Sequence, residues 1–154
     1  MSVLAFGGIG SGVYRVLLLL HIVSIVAAFA PAFAHPFLVA QSGAMAPDAR
    51  NEVRGFLAAN SKRIYAPALV AAGIFGLLLV VASDKAWEFS QGWVSMAFLA
   101  WFAMNGVLHG FLLPAERKLA AGDESAKARV EQGGMIMSVL FLLMLILMIW
   151  KPGA

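Results

Sequence analysis

The stretch LHIVSIVAAFAPAFAHP, residues 20–36, places two histidines inside a long apolar run. The run extends from Val13 to Ala40 and carries one charged residue, Arg15. A helix of about 20 apolar residues crosses a hydrocarbon core that is about 30 Å thick. The stretch therefore predicts a membrane-spanning helix with ionisable side chains at membrane depth, where they are costly and usually functional.

The composition of the whole chain excludes a soluble protein. Of 154 residues, 62% are hydrophobic and 12% are charged, whereas about a quarter of the residues in soluble domains are charged. The net charge of +3 is small, and we expect no nucleic-acid partner. The absence of cysteine excludes disulfides, thiolate zinc sites and iron–sulfur clusters.

Three further apolar runs follow the first, and each is long enough to span a bilayer. We expect one all-α domain over residues 1–154, with four transmembrane helices in an up-down bundle. A removable signal peptide is an alternative reading of the N-terminal run, but the run continues past Ala32-Phe33-Ala34, which resembles a cleavage site. The predicted spans are about 13–40, 65–82, 92–113 and 133–150.

The segments between the spans indicate the orientation. Residues 41–64 are predicted to be a loop that contains a short interfacial helix over about 48–59, and residues 115–132 are predicted to be a second loop on the same side. These two segments hold eight of the eleven Lys and Arg residues. Because basic residues mark the cytoplasmic side, we expect both termini on the outer face of the cell membrane.

The three histidines are the candidate site residues. His21 lies about two turns below the predicted outer surface, and His35 lies 14 residues further along the chain. Since 14 residues span about 21 Å of helix, these two rings cannot bind one metal ion together. His109 is predicted to lie near the level of His35, so that these two side chains could face each other across the bundle.

Two interpretations of His21 remain open. Imidazole is a common ligand of haem iron, copper and zinc, and helical bundles hold such sites between facing helices. Alternatively, the ring donates a hydrogen bond that tightens helix packing. For His35 and His109 the packing or solvated interpretation is favoured. Arg15 is expected to extend to the membrane surface, or else to bind an anionic group such as a haem propionate.

Other patterns bear on the class of membrane protein. Ala72 with Gly76, and Gly106 with Gly110, have the small-residue spacing of close helix contacts. Four methionines in the last span could suggest copper, but methionine usually fills space in a helix. Asp, Glu and Lys are absent from the middle of the predicted spans, which argues against an ion-coupled transporter.

Several of these residues carry a resemblance to a known family. LHIVSIVA at 20–27, Phe29-Ala30 and Pro36 resemble the first helix of the HemJ-type protoporphyrinogen oxidases, which are small four-helix bacterial membrane proteins carrying haem b. His109-Gly110-Phe111 and the closing Lys151-Pro152 are also similar to that family. The chain resembles most closely an uncharacterised bacterial family of predicted integral membrane proteins related to HemJ and to CopD-like membrane domains.

The resemblance implies haem b as cofactor, with His21 at the position of the haem-linked histidine. In the family a histidine and a lysine needed for activity follow the tryptophan that opens the third helix, whereas here Trp93 is followed by Val94-Ser95-Met96-Ala97. Electron transfer is therefore a better expectation than porphyrinogen oxidation, and no catalytic residue is assigned. The alternative is a non-catalytic accessory subunit that packs in a larger membrane complex or with a second copy.

Overall fold

The computed structural model describes residues 8–153, which form four long helices. Each helix is long and apolar enough to cross a membrane, and the described part of the chain contains no strand. The predicted all-α fold with four spans is therefore confirmed. The long helices are helix 1 (Gly12–Ser42), helix 2 (Pro47–Val81), helix 3 (Gly92–Ala120) and helix 4 (Glu124–Trp150).

Helices 2, 3 and 4 extend beyond the predicted spans into the charged segments. The predicted helix over about 48–59 is present as Pro47–Asn60. The prediction that a loop separates it from the second span is wrong, because helix 2 continues without a break from Pro47 to Val81. Helix 3 likewise continues through Pro114 to Ala120, and helix 4 begins at Glu124 rather than near residue 133. Apolar side chains at intervals among the charges explain the extensions, since they are buried where these ends pack together: Leu57, Leu119, Ala126 and Val130.

Each of two prolines lies just after a π-helical turn inside a long helix. Helix 2 consists of Pro47–Asn60, the π-helical turn Ser61–Tyr65 and Ala66–Val81. Helix 3 consists of Gly92–Val107, the π-helical turn Leu108–Leu112 and Leu113–Ala120. A proline has no N–H, and its ring clashes with the carbonyl group four residues earlier.

For Pro67 and Pro114, that carbonyl group lies within the π-helical turn. The wider turn accommodates the proline ring. Helix 2 therefore runs through Pro67, near which the second span was predicted to start, and helix 3 runs through Pro114, next to the predicted end of the third span.

The helices pack in pairs. Helix 1 lies along helix 2 and helix 4 lies along helix 3, whereas helices 1 and 4 touch only briefly. Two contacts at the charged end join the pairs: Arg54 donates to the Glu124 carboxylate at 2.6 Å, and Arg50 lies 3.8 Å from the same group. Glu124 belongs to the short 3₁₀ turn Glu124–Ala126, which starts helix 4. The brief contact between helices 1 and 4 leaves room for a cavity between them.

Candidate functional site

His21 contacts helix 2. Its Nδ1 lies 2.7 Å from the carbonyl oxygen of Ala72. Because a carbonyl oxygen only accepts, Nδ1 must carry the proton, and the neutral ring then keeps a lone pair on Nε2. Gly76 lies against the ring, where an added Cβ would come within 3.3 Å of the His21 Cε1. The predicted packing role of His21 is therefore present, and Nε2 makes no hydrogen bond within residues 8–153.

The cavity beside His21 does not fit haem. Its volume is about 70 Å³, and its lining is apolar. Pockets that hold drug-sized ligands measure roughly 300–1,000 Å³, and a porphyrin is at least as large as such ligands. Met144 and Met148 line this cavity with Trp101, which donates from Nε1 to the Leu69 carbonyl oxygen at 2.8 Å. The side chains around His21 thus fill the space that a macrocycle would need.

Arg15 and His109 do not line the cavity beside His21. Arg15 is exposed near the start of helix 1 and does not line the His21 cavity. His109 is exposed on the π-helical turn of helix 3. The expected pairing of His109 with His35 is not seen, because His35 faces Glu116 instead.

His35 and Glu116 form the buried polar contact of the bundle interior. The Nδ1 of His35 lies 3.4 Å from the Oε1 of Glu116, and the two side chains are 16% and 3% exposed. That distance is long for a hydrogen bond. The hydroxyl group of Ser61 also approaches the carboxyl group, yet neither Glu116 oxygen has a partner of hydrogen-bond geometry among the described residues. Glu116 is thus a buried carboxyl group without a satisfied oxygen.

These residues line a cavity between helices 1 and 4, which we call the His35 cavity. Its volume is about 350 Å³, within the range of pockets that hold small molecules. Its walls combine apolar side chains with a few polar groups. The lining includes three aromatic rings, the polar contact just described, a pair of charged side chains and one glycine: Phe29, Phe33, Tyr65, His35, Glu116, Lys127, Glu131 and Gly134.

Tyr65 adds a second unsatisfied group to this cavity. It is 3% exposed, and its hydroxyl oxygen has no hydrogen-bond partner within residues 8–153. Its ring meets that of Phe29 edge-on, with 5.7 Å between the centroids. Tyr65 ends one π-helical turn, and Glu116 follows the other by one helical turn. Such turns are frequent at functional sites, and here they position both unsatisfied groups.

Glu116 and Tyr65 were missed in the sequence because both lie at the predicted ends of spans. Glu116 follows Pro114, which was expected to end helix 3, so the carboxylate was assigned to a solvated loop. The available signal was the spacing of Leu112, Ala115 and Leu119 around Glu116. These apolar residues are spaced as on one helix face, and all three are buried.

Comparisons with known proteins give no further assignment. No protein-family model, no curated protein and no solved structure matches the chain.

Proposed function

We propose that the chain is a multi-pass protein of the cell membrane that binds a small molecule in the His35 cavity. The observation that carries this proposal is the buried Glu116 carboxyl group, whose two oxygens lack hydrogen-bond partners among the described residues. An unsatisfied buried polar group costs on the order of 1–3 kcal/mol, and more when it is charged. A ligand that pairs with the carboxyl group would remove that cost.

We expect a small molecule to copurify with the protein, and we expect its binding to be lost when the cavity is filled. An added Cβ at Gly134 meets no atom within 4 Å, so the ring of Gly134→Phe would extend into the cavity that Gly134 lines. Native mass spectrometry of protein extracted in a mild detergent is expected to detect a bound small molecule on the wild type and not on Gly134→Phe. The control is Val139→Phe, since Val139 is 63% exposed and lies outside the cavity lining. Equal occupancy in all three proteins would contradict the proposal.

Haem b is a second candidate for the bound molecule; it would need the His35 cavity to widen beyond its volume of about 350 Å³, and the residues favour His35 over His21 as its ligand. Glu116 faces the Nδ1 of His35, which resembles the carboxylate–histidine arrangement that orients metal-ligating rings. A bound haem would supply one-electron redox chemistry. The expected spectrum is a reduced-minus-oxidised haem b difference in purified protein, lost in His35→Ala and kept in His21→Ala. A colourless wild type would contradict haem binding and leave the cavity proposal intact.

An accessory role in a larger membrane assembly is favoured by the outer face of helix 3. Gly106, His109 and Gly110 are exposed there, and added Cβ atoms at both glycines would meet nothing. This face therefore offers close approach to another membrane helix. The corresponding face of helix 2 is used within the bundle, since Ala72 and Gly76 contact His21. Copurification with a larger complex or a second copy, lost in Gly110→Phe, is the expected result; a wild-type monomer in mild detergent would contradict it.

A further inference from the structure

We propose that the His35 cavity takes a small organic cation, whose ammonium group lies against the Glu116 carboxylate and whose apolar part lies among the aromatic side chains. This inference rests on the proposed function, because it names the chemical class of the molecule that the cavity would bind.

The charges that line the cavity favour a cation. Lys127 and Glu131 lie 3.9 Å apart with side chains 52% and 63% exposed, so they offset each other in solvent at the edge of the cavity. Glu116 is the remaining acidic group of the lining and is 3% exposed. An anion would meet this carboxylate, and a neutral molecule would leave it facing only the His35 ring, whose Nδ1 lies 3.4 Å from Oε1. A cation satisfies both the charge and the unpartnered oxygens.

The shape and chemistry of the lining favour an organic cation over a metal ion. Within residues 8–153 no group of three His, Asp or Glu side chains could hold a metal, whereas zinc binds four ligands and calcium six to eight. The cavity instead presents the rings of Phe29, Phe33 and Tyr65. Aromatic faces attract ammonium groups, most strongly where water is excluded. The volume of about 350 Å³ suits a molecule of one ring with a short charged arm.

The experiment uses N,N-dimethyl-2-phenylethylammonium, whose N–H group can donate to the Glu116 carboxylate, as the cation and N,N-dimethylbenzamide as a neutral molecule with the same number of heavy atoms. Binding to the purified full-length protein is measured by calorimetry and by the ligand-dependent rise in unfolding temperature. We expect the wild type to bind the cation at least about tenfold more tightly than the amide. In Glu116→Gln, which keeps the shape of the side chain, affinity for the cation is expected to fall about 10- to 100-fold, as for a lost charge-assisted hydrogen bond.

Two variants make the outcome specific to Glu116. Glu52→Gln removes an exposed carboxylate that lies outside the cavity lining and is expected to change the affinity less than about twofold. Gly134→Phe is expected to abolish binding by filling the cavity. Unchanged binding to a folded Glu116→Gln, equal binding of the amide, or no binding of the cation to the wild type would each overturn the inference. If Glu116→Gln does not fold, the comparison of cation with amide on the wild type still decides it.

Failure of this inference is distinguishable from failure of the proposed function. Suppose that a neutral molecule, an anionic molecule or haem copurifies with the wild type and not with Gly134→Phe. That result would overturn the inference that the ligand is a cation, but it would support the proposal that the His35 cavity binds a small molecule. Equal occupancy of the wild type and Gly134→Phe would contradict both the cationic ligand and the binding cavity.

Discussion

Gly73→Ala is expected to destabilise the protein by about 2–4 kcal/mol, an effect of overpacking together with a lost hydrogen bond. An added Cβ at Gly73 would overlap the Cε2 of Trp101, so the indole ring must move. That movement breaks the bond from the Trp101 Nε1 to the Leu69 carbonyl oxygen, now 2.8 Å long. The free energy of unfolding, measured by denaturant titration in mixed micelles, checks this value.

Gly106→Ala is the matched control for this change. Its added Cβ meets no atom within 4 Å, so alanine is expected to stabilise helix 3 by about 0.5–1 kcal/mol through its higher helix propensity. The double variant Gly73→Ala with Trp101→Leu is expected to be less destabilised than the two single changes added together, because the smaller leucine removes the clash and the alanine Cβ fills part of the space that the indole leaves. A Gly73→Ala protein as stable as the wild type would show that Gly73 of helix 2 does not pack against Trp101 of helix 3.

Leu108→Ala is expected to cost about 2–5 kcal/mol of unfolding free energy, the range for a leucine removed from a packed core. Leu108 is fully buried, with 0% exposure, and neighbouring Met104 is 1% exposed. The side chain lies in the π-helical turn of helix 3, within the main core of the bundle. The truncated side chain would leave an empty space that the rigid surrounding helices fill only in part.

The control for Leu108→Ala is Leu99→Ala in the same helix. Leu99 is 70% exposed, so its truncation is expected to change stability by less than about 1 kcal/mol. The same micelle titration compares the two variants. Equal losses at the two positions would contradict the described orientation of helix 3.

The apolar runs were sufficient to predict four helices, because a span needs length and low charge and little else. The segments next to them were mispredicted for a physical reason. The charges among residues 48–63 and 116–131 indicated two segments outside the spans, one of them with a short interfacial helix. Leu57, Leu119 and Val130 are nevertheless buried, because distant parts of the chain pack against one another there. Spans were expected to begin or end near the prolines. The conformational preferences of the neighbouring residues do not indicate the π-helical turns that let the helices continue.

The candidate site could be predicted only in part for a related reason. The sequence predicted that His21 needs a partner, and the Ala72 carbonyl group supplies one. It assigned no interior acid, because Glu116 was expected in a loop beyond Pro114. Burial of Glu116 follows from the continuation of helix 3, and its contact with His35 follows from the packing of helices 1 and 3. Neither is a property of one span alone. The expected roles of His21, Arg15, His35 and His109 in haem binding stay predictions, and the cavity of about 70 Å³ beside His21 does not support that of His21.

The most direct measurement is an experimental structure of the full-length protein purified in a mild detergent, with attention to density in the His35 cavity. We expect this structure to contain four membrane-spanning helices and a compact non-lipid density within hydrogen-bond distance of the Glu116 carboxyl group. A cavity closed by its own side chains, or filled only with lipid tails that leave Glu116 without a partner, would contradict it.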